Sequence, residues 1–72
     1  MPDKLKLTFA TRLRELRSLH HLTQEAFAER TGIHRTYIGG IERGKRNVTL
    51  ATVERVADAF GLDPHDLLRP AE

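Results

Sequence analysis

The chain has 72 residues and a formal net charge of +2, with 39% hydrophobic and 31% charged residues. This length holds one compact domain, so we treat residues 1–72 as a single domain and exclude a two-lobed enzyme. Cysteine is absent and no apolar run exceeds three residues, which excludes disulfide frameworks, thiolate metal sites and membrane spans and leads us to expect a cytoplasmic protein.

The spacing of the apolar residues predicts an all-α fold. They recur every three or four positions and never alternate over the length of a strand. The first helix is predicted to run from about Leu5 or Thr8 to Leu19. Its inner face is predicted to consist of four residues, Leu5, Phe9, Leu13 and Leu16.

Two short helices follow at close spacing. Thr23 is typical of a helix N-cap, and Gly32 is typical of the left-handed position just after a helix. These two signals predict a second helix over about residues 24–31. A third helix is predicted from Arg35 to about Arg43, where Gly44 ends it.

The last part of the chain carries clear helix-boundary signals. Thr49 is a predicted N-cap for a fourth helix, which Gly61 ends. The inner face of this helix is predicted to hold Leu50, Val53, Val56, Ala57 and Phe60. Asp63 followed by Pro64 predicts the start of a fifth helix, which ends before Pro70.

The segment from Gln24 to Ile41 must bring two short helices together at a steep angle. Ala28 provides the small side chain that a close helix crossing needs, and Gly32 provides the positive φ of the turn. The apolar anchors of the pair are predicted to be Phe27, Ile33, Ile38 and Ile41. The outer face of the third helix is then left to Arg35, Thr36, Gly39, Gly40 and Arg43.

Positive charge is concentrated around this third helix. Residues 30–47 hold five basic residues and one acidic residue, a net charge of +4, whereas the rest of the chain holds seven basic and nine acidic residues. Such asymmetry favours a polyanionic partner. Charge alone also allows a solvated charged turn.

The stretch from Leu22 to Asn47, read together, resembles the helix-turn-helix of phage-repressor-type regulators, the family of lambda and 434 repressor, Cro and XRE-like proteins. The resemblance covers about residues 8–69. Within the family, the segments 35–38, 41–43 and 46–47 look most like controller proteins of restriction-modification systems. The resemblance implies a compact, five-helix, lambda-repressor-like domain with its helix-turn-helix unit at about residues 24–43.

The resemblance also implies a DNA-binding role for individual residues. The third helix would enter the major groove, where the Arg35 guanidinium can bond guanine O6 and N7 together. The base-reading positions implied in this way are Arg35, Thr36, Gly39, Gly40 and Arg46. The resemblance also allows Arg46 to hold a phosphate, so both roles stay open for it. The two glycines depart from relatives that often carry polar side chains there, and we interpret them as sites of close backbone approach to DNA.

Phosphate binding is implied for a second set of residues. These are Gln24, Tyr37, Arg43, Lys45 and Asn47. Gln24 would act at the start of the second helix, where free amides and the helix dipole favour an anion. Tyr37 has an alternative role, with its ring packed on the core and its hydroxyl in water. Arg17 and Glu42 match a family pair that forms a structural salt bridge.

Other functions are disfavoured by the same sequence. Residues 39–45 read G-x-x-x-x-G-K, but Arg46 replaces the Ser or Thr of a P-loop and no strand precedes the segment. The four histidines have neither metal-ligand spacing nor thiol partners, so we expect no metal site. No catalytic arrangement stands out, and we expect neither enzyme activity nor a small-molecule cofactor.

We therefore predict a homodimeric, sequence-specific transcriptional regulator of a palindromic operator in double-stranded DNA. The resemblance to controller proteins implies that it regulates restriction-modification genes. The dimer contact is predicted in the last two helices, through Phe60, Leu62 and Leu68. The alternative is an antitoxin-like module that uses the same fold to hold another protein. A long apolar tail after the fold would favour that alternative, and the sequence to Glu72 carries none.

Overall fold

The structure, a computed structural model, describes residues 3–71. Over this range it contains four α-helices, one 3₁₀ helix and no strand. The elements in chain order are α1 (Lys4–Leu19), α2 (Gln24–Thr31), α3 (Arg35–Glu42), α4 (Leu50–Phe60) and the 3₁₀ helix η1 (Pro64–Leu68). Within the same residues, no helix combines the length and the apolar character needed to cross a membrane.

The prediction of five helices is wrong in its last member, because η1 is a 3₁₀ helix. Its first turn is closed by an i to i+3 bond in which the Asp66 amide donates to the Asp63 carbonyl over 2.9 Å. Asp63 also caps the turn by accepting from the His65 amide. At five residues η1 is slightly longer than most 3₁₀ helices, and it ends two residues before Pro70.

The helix boundaries follow from local capping. The hydroxyl of Thr23 accepts from the Ala26 amide over 3.0 Å, and that of Thr49 accepts from the Thr52 amide over 3.1 Å. The predicted bounds of α2 and α4 are confirmed. α1 begins earlier than predicted, at Lys4, and α3 ends one residue before the predicted Arg43, which instead caps it.

One core joins all five elements. Its largest fully buried side chains are Phe9, Phe27, Leu13, Ile38, Ile41, Leu67 and Val56. Two residues predicted on inner faces lie outside it, since Leu5 is 58% exposed and Leu50 is 76% exposed. Both occupy the first turn of a helix, where the periodic face extends past the neighbouring elements that cover the rest of it.

Candidate nucleic-acid interface

The turn between α2 and α3 sets the direction of α3. Gly32 has φ +75°, and its amide donates to the Ala28 carbonyl over 2.8 Å. The hydroxyl of the buried Thr31 donates to the Phe27 carbonyl and accepts from the Ile33 amide, so the turn's polar groups are satisfied without water. Phe27, Ile33, Ile38 and Ile41 are buried, which confirms them as the anchors of the pair.

The first turn of α3 presents two of the predicted base-reading side chains to solvent. Arg35 and Thr36 are both exposed, and the Arg35 side chain forms no hydrogen bond or ion pair with any other residue from 3 to 71. His34 caps the helix through Nδ1, which accepts from the Thr36 amide over 3.0 Å. A guanidinium at the positive end of a helix is electrostatically unfavourable unless an anion lies nearby. The position of Arg35 therefore favours the binding of an anion.

Gly39 and Gly40 are not open on the surface as the sequence had led us to expect. Both are buried, because long polar side chains lie across them. A Cβ placed on Gly39 would lie 3.3 Å from Nη1 of Arg43 and 3.5 Å from Oε1 of Gln24. A Cβ placed on Gly40 would lie 2.9 Å from Cγ of Arg46. The glycines therefore leave room that is filled by other predicted DNA-contacting residues.

The structure contains the packing role considered for Tyr37. Its ring is half-buried and packs against the core. The guanidinium carbon of Arg46 lies 5.3 Å from the ring centre, within the range of a cation–π contact. Arg46 therefore lies against α3, although it belongs to the loop that follows the helix.

Gln24 is held by a buried ionic network. Arg17 donates from Nε to Oε2 of Glu42 over 2.7 Å and from Nη2 to Oε1 over 3.0 Å. Gln24 Nε2 also donates to Glu42 Oε1, over 3.0 Å. This leaves the second N–H of the Gln24 amide for another acceptor. The predicted pair of Arg17 and Glu42 is present, and it orients the residue predicted to hold a phosphate.

Arg17 carries the positive charge of this network. Glu42 is only 6% exposed, which is tolerable for a carboxylate because both of its oxygens accept hydrogen bonds. The side-chain hydrogen bond from Arg17 to Glu42 raises the pKa of Arg17, against the opposing effect of its partial burial. Arg17 therefore stays charged at every pH at which the domain is folded.

The loop after α3 extends the positive surface. Gly44 has φ +71° and turns the chain back towards α1. A Cβ placed on Gly44 would lie 2.8 Å from Cδ2 of Leu7. The amide of Lys45 donates to the Gly40 carbonyl over 2.9 Å. The side chains of four predicted DNA-binding residues in this region are exposed, namely Arg43, Lys45, Arg46 and Asn47.

Two arginines that position this surface were missed by sequence reasoning. Arg14 Nη1 donates to the backbone carbonyl of Glu42, at the end of α3. Arg55 Nη1 donates to the carbonyl of Gly32 over 3.3 Å, in the turn before α3. Each arginine supplies a donor to a backbone carbonyl at one end of the α3 region. The only sequence signal for Arg14 is its place one turn before Arg17 on α1.

Comparison with known proteins identifies the family. The HTH_3 family model, described as helix-turn-helix, matches residues 13–67. Control protein C.BamHI of Bacillus amyloliquefaciens is 42% identical over 69 residues, which cover 94% of this chain and 85% of that protein. Control protein C.SmaI of Serratia marcescens is 44% identical over a gapped alignment of 74 positions, which covers 94% of this chain and 88% of that protein.

Solved structures agree with these relatives. The crystal structure of the restriction-modification controller protein C.AhdI from Aeromonas hydrophila matches with a TM-score of 0.79 at 44% identity, over 86% of this chain and 94% of that chain. The hypothetical transcription factor NHTF from Neisseria matches with a TM-score of 0.85 at 33% identity, over 92% of this chain and 76% of that chain. The chain therefore belongs to the HTH_3 helix-turn-helix family of DNA-binding transcriptional regulators.

Proposed function

We propose that this regulator binds a palindromic operator as a homodimer, with α3 of each copy in the major groove, and that it controls the genes of a restriction-modification system. The observation that carries this proposal is the exposed Arg35 at the positive end of α3, where it has no partner within residues 3–71. Control proteins among the relatives support the choice of target genes. A restriction endonuclease or methyltransferase gene next to this one would support that choice, and its absence would count against it.

In the proposed complex the site residues fall into two groups, those that contact bases and those that contact phosphates. Arg35 and Thr36 would contact base edges from the first turn of α3, and Arg46 would reach bases or phosphate beside it. Phosphates would be held by Gln24, Tyr37, Arg43, Lys45 and Asn47. Gly39 would let the helix approach the bases more closely than a side chain would allow, with the covering Arg43 side chain turning aside, and Gly40 would leave room beside the helix for Arg46.

Affinity for the operator should depend steeply on salt. If a dimer neutralises roughly 8–10 phosphates, the logarithm of the binding constant should fall with the logarithm of the salt concentration at about −0.9 per contact. We would select from a random duplex library at near-physiological salt and titrate the enriched sequence by anisotropy. A palindrome whose half-sites lie about 10 base pairs apart, bound about 10³-fold above scrambled DNA, is expected. No enrichment, or a flat salt response, would contradict the proposal.

An apolar groove between α4 and η1 supports dimerisation. It is lined by Leu50, Val53 and Leu68, with Leu5 at one end. Lys6 lies at the part of the groove next to α1 and Glu54 at the part next to η1, so opposite charges are available to a contact between identical surfaces. A domain of this size buries only about 60% of the surface of its unfolded chain, less than a larger domain does, so covering an apolar groove with a second copy adds stability.

The three residues predicted for the dimer contact lie on different surfaces. Leu68 lines the groove, but Leu62 lies beside Leu19 at the other end of α1. The Phe60 ring lies 4.7 Å from the ring of His20 and 4.2 Å from the guanidinium carbon of Arg30. We therefore propose Leu68, rather than Phe60 or Leu62, as the contact residue.

Leu50→Asp should abolish the dimer without unfolding the domain. Leu50 is exposed, and an acidic residue in the first turn of a helix is favourable. Sedimentation at tens of micromolar should show monomer for this variant and dimer for the wild type. Leu19→Lys is the matched control, since Leu19 is similarly exposed at 72% and a basic residue is favourable in the last turn of a helix. Loss of the dimer in the control alone would move the interface to the surface around Leu19 and Leu62.

A further inference from the structure

Arg46 lies in a space that exists only because residue 40 is glycine. A Cβ on Gly40 would lie 2.9 Å from Cγ, 3.0 Å from Nε and 3.5 Å from Cδ of Arg46. Carbon atoms in contact normally lie about 3.5–4.0 Å apart, so the first two distances exclude any other residue unless Arg46 moves. The stem of Arg46 therefore packs directly on the backbone of α3.

The head of the same side chain is held by a second contact. The guanidinium carbon of Arg46 lies 5.3 Å from the ring centre of Tyr37, which precedes Gly40 by one helical turn and so lies on the same face. The backbone before Arg46 is fixed as well, because the Lys45 amide donates to the Gly40 carbonyl over 2.9 Å. The aliphatic part and the guanidinium of Arg46, and the backbone just before it, all contact α3.

We propose that Tyr37 and Gly40 form a cradle that positions Arg46 for DNA, and that both are positioning residues for that contact. The proposal rests on the proposed function above and deepens it. An exposed arginine normally loses much side-chain freedom when it binds, and a side chain already held in place loses less. The cradle makes the same guanidinium available beside α3 in every molecule before DNA arrives.

The cradle explains one of the two consecutive glycines in this helix of eight residues. Glycine is unfavourable within a helix, so a residue of this kind needs a compensating role. At Gly40 the role is to admit Arg46. Gly39 differs, since an added Cβ would lie 3.3 Å or more from the ends of the Arg43 and Gln24 side chains, which can move aside.

The test compares Gly40→Ala with Gly39→Ala, which changes helix propensity equally. Both variants should be at least as thermally stable as the wild type, because alanine favours a helix. Gly40→Ala should weaken operator binding about 5- to 150-fold, the effect of one immobilised side chain in each of the two copies, and Gly39→Ala should weaken it less. In an Arg46→Ala background, Gly40→Ala should have no further effect.

Proton resonances of the free protein test the contact between Tyr37 and Arg46 without DNA, and therefore independently of the proposed function. The Tyr37 ring current should shift the Arg46 side-chain proton resonances of the free protein upfield. Gly40→Ala and Tyr37→Leu should remove this shift, and Tyr37→Phe should keep it. Additive effects of Gly40→Ala and Arg46→Ala on binding, or an absent ring-current shift, would overturn the cradle. A shift that is present in a protein that enriches no operator would overturn the proposed function alone.

Discussion

Replacing Arg17 by methionine is expected to lower the melting temperature by about 12–24 °C. The substitution leaves the Glu42 carboxylate buried with one remaining side-chain donor, the Gln24 amide. Removing one partner of a buried ion pair lowers the free energy of unfolding by about 3–5 kcal/mol. Because Arg17 is partly exposed, we expect a loss of about 3 kcal/mol for Arg17→Met. A domain of this size shifts by about 4–8 °C per kcal/mol.

The two members of the pair should not be equivalent. Arg17 is 26% exposed on its side chain and Glu42 is 5% exposed, so a guanidinium deprived of its partner can turn to water. Glu42→Gln should therefore cost less than Arg17→Met. The double variant Arg17→Met/Glu42→Met should recover most of the loss, since apolar residues of similar volume often replace a buried pair without net cost.

Thermal unfolding followed by circular dichroism would measure these differences. Arg69→Met is the matched control, because Arg69 pairs with Asp66 across an exposed surface, with side-chain exposures of 68% and 42%. An exposed pair contributes about 0–1 kcal/mol, so the control should shift the midpoint by a few degrees at most. A shift for Arg17→Met no larger than that of the control would show that the network contributes little to folding.

The parts of this fold that were predictable from sequence depend on neighbours in the chain. Thr23 and Thr49 each cap the helix that follows by accepting from the amide three residues ahead. Gly32 adopts a positive φ in the turn after α2. Capping involves only the next turn of backbone, so these signals can be interpreted without knowledge of the tertiary structure. His34 shows the limit of such rules, since an imidazole nitrogen takes the place of the usual oxygen.

The parts that were not predictable depend on contacts between distant segments. Leu50 continues the apolar period of α4, but no other element covers it. The family pattern paired Arg17 with Glu42, but the bond from Gln24 to Glu42 requires the start of α2 to lie beside the end of α3. The covering of Gly40 by Arg46 depends on the path of the loop after α3. That path includes the positive φ of Gly44 and the hydrogen bond from the Lys45 amide to the Gly40 carbonyl.

The second large effect is expected at Arg35 and concerns specificity. A bidentate contact from a guanidinium to guanine discriminates against the wrong base by about 1–3 kcal/mol. On a palindromic operator bound by two copies, Arg35→Ala should therefore cost about 2–6 kcal/mol and relax the preference at one base position in each half-site. The fold should be unaffected, since Arg35 is exposed and bonds to no other residue within 3–71.

Two matched variants separate base reading by Arg35 from charge alone. Arg35→Lys keeps the charge but loses the planar fork, so it should lose specificity almost as fully as Arg35→Ala while retaining affinity for random DNA. Lys45→Ala should weaken all sequences alike and reduce the salt slope by about 1 per copy. Competition titrations of operator against random DNA give both quantities. If Arg35→Ala lowers the two affinities equally, Arg35 binds the DNA backbone, and the reading of bases must then rest on Thr36 and Arg46.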